Sequence, residues 1–126
     1  TIDFVTIDAS FISLKTLLPV IKKWDIGHSI VALIKPQFEA GRKIVSRGDG
    51  VVRDPEVHRQ VLLDVLTFAQ NEGFGLRGLV KSTLLGPKGN AEFLVWLDMK
   101  PNTILVEELV NGLFPTDELD NQDELS

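Results

Sequence analysis

Three polar residues stand where apolar, strand-like runs begin or end. Asp8 closes IDFVTID (2–8), Lys35 closes SIVALIK (29–35) and Glu92 lies at the start of AEFLVWLD (91–98). An ammonium set between two carboxylates is suited to holding a hydroxyl group and managing its proton. In open α/β sheets, ligands bind beyond the carboxyl ends of the strands. Asp8 and Lys35 share that edge if their strands are neighbours. Glu92 joins them if its strand runs antiparallel. Each residue also has an ordinary reading: a strand-end Asp serves turns, a lone Lys is usually solvated, and Glu92 flanks a hairpin. Lys35 is set apart by the five apolar residues before it and Pro36 after it. Desolvation disfavours a charged ammonium while nearby carboxylates favour it, so the two influences oppose each other there.

Other chemical signals are weaker. Gly73-Phe74-Gly75-Leu76-Arg77-Gly78 matches GxGxxG literally. A dinucleotide loop needs a strand before it and a helix after it; here the order is reversed. These glycines are expected at a helix C-cap and a tight turn. Residues 41–53 carry Arg42, Lys43, Arg47 and Arg53 against one acid, Asp49. This +3 segment after Lys35 reads either as a phosphate contact or as a solvated loop. Ser10 and Ser13 have no GxSxG elbow and no acid–His pair placed for a triad, so capping explains them better.

The elements that position these groups follow from patterning. Residues 2–8 read as a strand. Ser13 is a good N-cap, followed by Leu14, Leu17, Leu18, Ile21 and Trp24 at helical spacing to about Lys23, with Lys22 and Lys23 suited to the helix C-terminus. The run 29–35 suits a strand buried on both faces, and Pro36 ends it. Residues 37–53 read as a long irregular stretch. Asp54-Pro55-Glu56 starts a helix whose apolar face is Val57, Val61, Leu62, Val65, Leu66 and Ala69, with Gly73 at C′. Residues 76–82 and 91–98 read as two strands forming an antiparallel pair. A short helix is expected within 103–114, and 115–126 (PTDELDNQDELS) as disordered. The order predicts an α/β fold, with right-handed crossovers between parallel strands and a terminal antiparallel hairpin.

Composition narrows the classes. The chain has 126 residues, 44% hydrophobic and 25% charged, and no cysteine, which excludes disulfides and thiolate metal sites. His28 and His58 are not at metal-ligand spacing, so no metal is expected. No apolar run spans a bilayer and no signal peptide is visible, which makes a cytoplasmic protein the default. The net charge of −5 hides an asymmetry. Residues 1–100 hold all 13 bases against 11 acids (+2), while 101–126 hold 7 acids and no base (−7). The chain starts at Thr1 inside a strand-like pattern. A first strand at an open edge expects further strands ahead of it, or pairing with a second copy.

Four segments, IDASFISL (7–14), ALIKPQFEAGR (32–42), GVVRDPEVH (50–58) and GPKGNAEFL (86–94), together resemble the TlyA family, often labelled hemolysin A. These are FtsJ-like, S-adenosylmethionine-dependent ribosomal RNA methyltransferases. The resemblance covers roughly residues 1–98. It implies the C-terminal half of a Rossmann-like methyltransferase sheet in residues 1–100, followed by the acidic tail. It implies transfer of methyl to a ribose 2′-hydroxyl of ribosomal RNA through a Lys-Asp-Lys-Glu tetrad. Asp8 matches the aspartate, Lys35 the second lysine and Glu92 the glutamate, with Lys35 deprotonating the hydroxyl or positioning it. The family's first tetrad lysine and donor loop have no counterpart in the sequence. The resemblance therefore implies that S-adenosylmethionine serves the intact parent and that this chain alone is inactive and binds none. A non-catalytic RNA- or protein-binding module is the alternative. A membrane-active hemolysin is a weaker one, since no spanning segment or cationic amphipathic helix is present.

Overall fold

The computed structural model describes residues 2–8, 13–24, 26–39, 53–83, 85 and 89–114, without the side chains of 2–4 and 26–28. The elements in chain order are β1 (Ile2–Asp8), α1 (Leu14–Ile21), β2 (Ile26–Ile34), α2 (Pro36–Glu39), α3 (Pro55–Asn71), β3 (Gly75–Lys81), β4 (Phe93–Asp98) and α4 (Val106–Asn111). The strands form one sheet in the order β1-β2-β4-β3. β1 and β2 are parallel, and β4 runs antiparallel to both β2 and β3. The expected α/β class and antiparallel hairpin are present. The hairpin's second strand, however, slots between β2 and β3, a placement the linear pattern does not disclose.

Local chemistry explains the helix boundaries. Asp54 caps α3 by accepting from the Glu56 N–H at 2.9 Å, with Pro55 at the first helical position. Its other end is a Schellman turn: Phe74 N–H reaches Ala69 C=O (3.1 Å), Gly73 N–H reaches Gln70 C=O (3.0 Å), and Gly73 has φ 94°. The first glycine of the literal GxGxxG is thus a helix stop. Gly75, the second, packs so tightly on the Lys100 carbonyl and the Asp98 carboxylate that a Cβ would collide with both.

Three sequence expectations need correction. α1 ends at Ile21 and Trp24 is 45% exposed, because the turn at Lys22 takes Trp24 off the apolar stripe. Lys22 serves a different helix end from the one expected. Its Nζ donates to Gly73 C=O at 2.9 Å, beyond α3, and lies 5.0 Å from the Phe74 ring centroid. The stretch after Lys35 begins not as an irregular loop but as the helical turn α2, which Pro36 opens. The acidic end 115–126 and the cations Arg42, Lys43 and Arg47 lie outside the described residues.

One core joins the sheet to its helices. Ile7, Ile30, Ala32, Ile34, Leu79, Phe93, Val95 and Leu97 face Leu14, Leu18, Ile21, Val61, Leu62, Val65, Leu66 and Ala69. Burying each large side chain contributes about 1.5–3 kcal/mol. Strand alternation sends the neighbouring residues to the other face. There Val80 and Trp96 are 54% and 50% exposed, and with Val31 and Leu94 they line an apolar groove of about 310 Å³. The expectation that β2 is buried on both faces therefore holds for one face only. Val31 and Leu33 are half-buried because the described helices pack on the opposite side.

Candidate active site

The sheet topology brings three strand ends together. Asp8, the last residue of β1, pairs in register with Leu33 of β2. Ile34 pairs with Phe93 of β4, so Lys35 and Glu92 extend that ladder by one position each. Ser82 N–H donates to the Glu92 carbonyl at 2.8 Å and holds the β4 entrance. Asp8, Lys35 and Glu92 thus meet at the edge of the sheet where β1 and β2 end and β4 begins.

Lys35 Nζ lies 2.6 Å from Asp8 Oδ1 and 4.0 Å from Glu92 Oε2. The first is a short charge-assisted contact; the second is at the limit of ion pairing. The exposures are graded: 9% for the Lys35 side chain, 15% for Glu92 and 57% for Asp8. A shielded ammonium is thus flanked by one sheltered carboxylate and one open to solvent. The arrangement suits donation from nitrogen to an incoming oxygen, with a carboxylate nearby to receive a proton. Of the sequence-predicted cations, Arg53 is described and exposed, just ahead of the α3 cap.

Two residues beside this cluster carry roles that sequence reasoning missed. Glu39, on α2, accepts from Ser13 Oγ (2.5 Å) and from Leu14 N–H (2.8 Å) at the start of α1. His58 is buried with its ring edge against Phe93, at 5.7 Å between centroids. The available signal for Glu39 was the absence of any acid in the first turn of α1, where the helix dipole favours one. For His58 it was the position on the apolar face of α3.

At the opposite end of the sheet, Arg77 grips Asp98 through Nε–Oδ2 (2.6 Å) and a second bond to Oδ1 (3.1 Å). Lys100 N–H also donates to Oδ1 (2.9 Å). Burial pushes the Asp98 carboxyl up, but hydrogen bonds from Arg77 and Lys100 and the charges of both outweigh it and hold it below the ordinary carboxylate value. Among the described residues, no group of three or more His, Asp or Glu is placed to hold a metal ion, and no helix is long and apolar enough to cross a membrane.

A parallel β-pair joined by a crossover helix, an antiparallel last strand inserted beside it, and an acid–lysine–acid cluster at the strand ends define an α/β domain of the methyltransferase type. The FtsJ-like methyltransferase family model matches residues 1–99, and the chain belongs to that family. It is 48% identical over 96 residues to "Putative rRNA methyltransferase YqxC" of Bacillus subtilis, covering 75% of this chain and 34% of the relative. It is 43% identical over 97 residues to "16S/23S rRNA (cytidine-2'-O)-methyltransferase TlyA" of Mycobacterium tuberculosis, covering 76% and 36%. A solved structure described as "Putative hemolysin from Streptococcus thermophilus" superposes with a TM-score of 0.76 at 39% identity, covering 97% of this chain and 45% of that one. The chain thus spans about a third of the length of the curated relatives it matches.

Proposed function

We propose that this chain supplies the acceptor-side half of a ribosomal RNA 2′-O-methyltransferase, in which Lys35, Asp8 and Glu92 hold and activate a ribose hydroxyl. The observation that carries this reading is the Lys35 ammonium, shielded and set between two carboxylates at a strand-end edge. The names of the relatives support ribosomal RNA as substrate, and that of the Mycobacterium tuberculosis protein supports the 2′-oxygen as the methylated atom.

The chemistry of the cluster follows from its parts. Lys35 Nζ, steadied by Asp8, orients the 2′-oxygen by hydrogen bonding. Glu92 keeps the ammonium charge compensated from the sheltered side. As the oxygen takes its new substituent, the hydroxyl proton passes to the open carboxylate of Asp8 and on to solvent. S-adenosylmethionine supplies an electrophilic methyl in enzymes of this type. The described residues do not fit its cradle, because the glycines of the GxGxxG pattern form a helix stop and a close packing contact instead. On this reading the donor is held by polypeptide without a counterpart among the described residues, and this chain by itself is inactive. Arg42, Lys43, Arg47 and Arg53, a cation-rich segment of the sequence, serve in this reading as contacts to RNA phosphates.

The test is a chimera in which this chain replaces the matched region of the Bacillus subtilis relative. Lys35→Ala is expected to abolish methyl transfer to ribosomal RNA while donor binding, read by calorimetry, persists. Wild-type turnover in that variant would overturn the assignment. Micromolar donor binding by the 126-residue chain alone would overturn the claim that the donor is held elsewhere.

A further inference from the structure

The register leaves one distance in the cluster without backbone support. The β2–β4 ladder runs to Ile34↔Phe93, so the spacing of Lys35 and Glu92 follows from strand pairing one position away. The β1–β2 ladder stops at Asp8↔Leu33, two residues short of Lys35. The 2.6 Å contact between Asp8 and Lys35 is therefore made beyond the last paired position of the strands that carry them.

A second connection between the two strand exits is present. After Asp8 the chain reaches Ser13, which caps α1 and accepts from Lys15 N–H at 3.1 Å. After Lys35 the chain makes the single turn α2, in which Phe38 and Glu39 N–H both point to the Lys35 carbonyl (2.9 and 3.3 Å). Glu39 is thus fixed one turn from Lys35. Both of its carboxylate oxygens are spent on the other exit, Oε1 on Ser13 Oγ at 2.5 Å and Oε2 on Leu14 N–H at 2.8 Å. Ser13 and Glu39 together satisfy two of the donors a helix leaves open at its start. The α1 first turn has no acid of its own. Glu39 supplies the negative charge that the dipole favours there, at no more than a half-buried position.

We infer that Glu39 is a positioning residue: its carboxylate latches the turn after β2 to the start of α1 and thereby sets the separation of Lys35 and Asp8. The geometry is independent of any activity, whereas its catalytic consequence rests on the acceptor-site reading above. Misplacement of a reacting group by about 1 Å can cost roughly a hundredfold in rate, so the latch carries a large kinetic effect without touching substrate.

The test is nitrogen-detected NMR of the lysine ammonium groups in the intact 126-residue chain, with the Lys35 signal assigned by its loss in Lys35→Met. Asp8→Asn defines the signal of an ammonium that has lost its partner. Glu39→Ala is expected to move the Lys35 signal toward that reference, and Glu39→Gln, which keeps one acceptor oxygen, to restore part of the shift. Ser13→Ala takes the cap from the same helix and leaves the Glu39–Leu14 bond, so it should lower the Tm yet leave the Lys35 signal in place. A Glu39→Ala chain with lowered Tm and an unmoved Lys35 signal would overturn the inference, leaving Glu39 as a cap only. If Glu39→Ala does not fold, Glu39→Asp, one methylene too short for both partners, carries the same comparison. In the chimera, Glu39→Ala should lower kcat by ten- to a hundredfold with the donor KM unchanged. A moved signal with no kinetic effect from either Glu39→Ala or Lys35→Ala sinks the acceptor-site reading and spares the latch. A kinetic effect from Lys35→Ala alone, with the signal unmoved in Glu39→Ala, sinks the latch and spares the reading.

Discussion

The two ends of the sheet both pair a base with carboxylates, in different geometries. At one end Arg77 and Asp98 meet fork to fork, and Lys100 N–H completes the carboxylate. Close by, Asn102 exchanges two bonds with the Leu76 backbone (2.8 and 3.1 Å). Gly75 lets the chain pass close beneath. At the other end a single ammonium faces two carboxylates at unequal distances, one of them largely open to solvent. A planar guanidinium locks two acceptors in a fixed geometry, whereas an ammonium is a compact point charge on a flexible stem. Arginine therefore closes one end of the sheet, and lysine stands at the end where the acceptor site is proposed.

Mutations should separate the two ends cleanly. The largest effect is expected from Lys35→Ala in the chimera, a loss of about 10²–10⁴-fold in methyl transfer, with little change in Tm. Comparable turnover in Lys35→Ala and in an Arg77 variant would erase the distinction. Next, Gly75→Ala should destabilise by about 1–3 kcal/mol through overpacking against the Lys100 carbonyl, read by urea denaturation, with turnover per folded molecule retained. Asp98→Asn should cost roughly 1–2 kcal/mol. It should also remove a pH dependence whose sign is set by the lowered carboxyl. That stability is present above the unfolded-state value of 3.8 and is lost as pH falls through the folded-state value. The wild type should therefore lose more stability than the variant on acidification below about pH 4. The smallest effect, about 1 kcal/mol, is expected for Asp54→Ala at the α3 cap, remote from both ends.

Much of this architecture was legible in the linear sequence, for local reasons. The Asp54-Pro55 start and Gly73 stop of α3 are set by cap chemistry within a few residues. β1 is set by its β-branched run. The meeting of Asp8, Lys35 and Glu92 needed only two assumptions, neighbouring parallel strands and a reversed last strand. What stayed hidden depends on distant partners. The bond between Glu39 and Ser13 joins positions 26 apart. Lys22 finds the end of a helix 51 residues away. Trp24 has the right spacing but leaves the core because the backbone turns first. The half-buried outer side of β2 reflects where helices pack, which an apolar run alone does not specify.

The position of β4 also sets an order of events during synthesis. β2 and β3 do not touch each other in the sheet; each pairs with β4, which is made after both. On a ribosome, a nascent chain that ends before Phe93 carries a β1–β2 pair and a separate β3, with apolar strand edges that have nothing to bond. Of the described strands, the last to emerge is the one that unites them, and Glu92 arrives with it. Assembly is consequently a late, long-range event, and a chain stalled just short of β4 is the species that chaperones should hold most tightly.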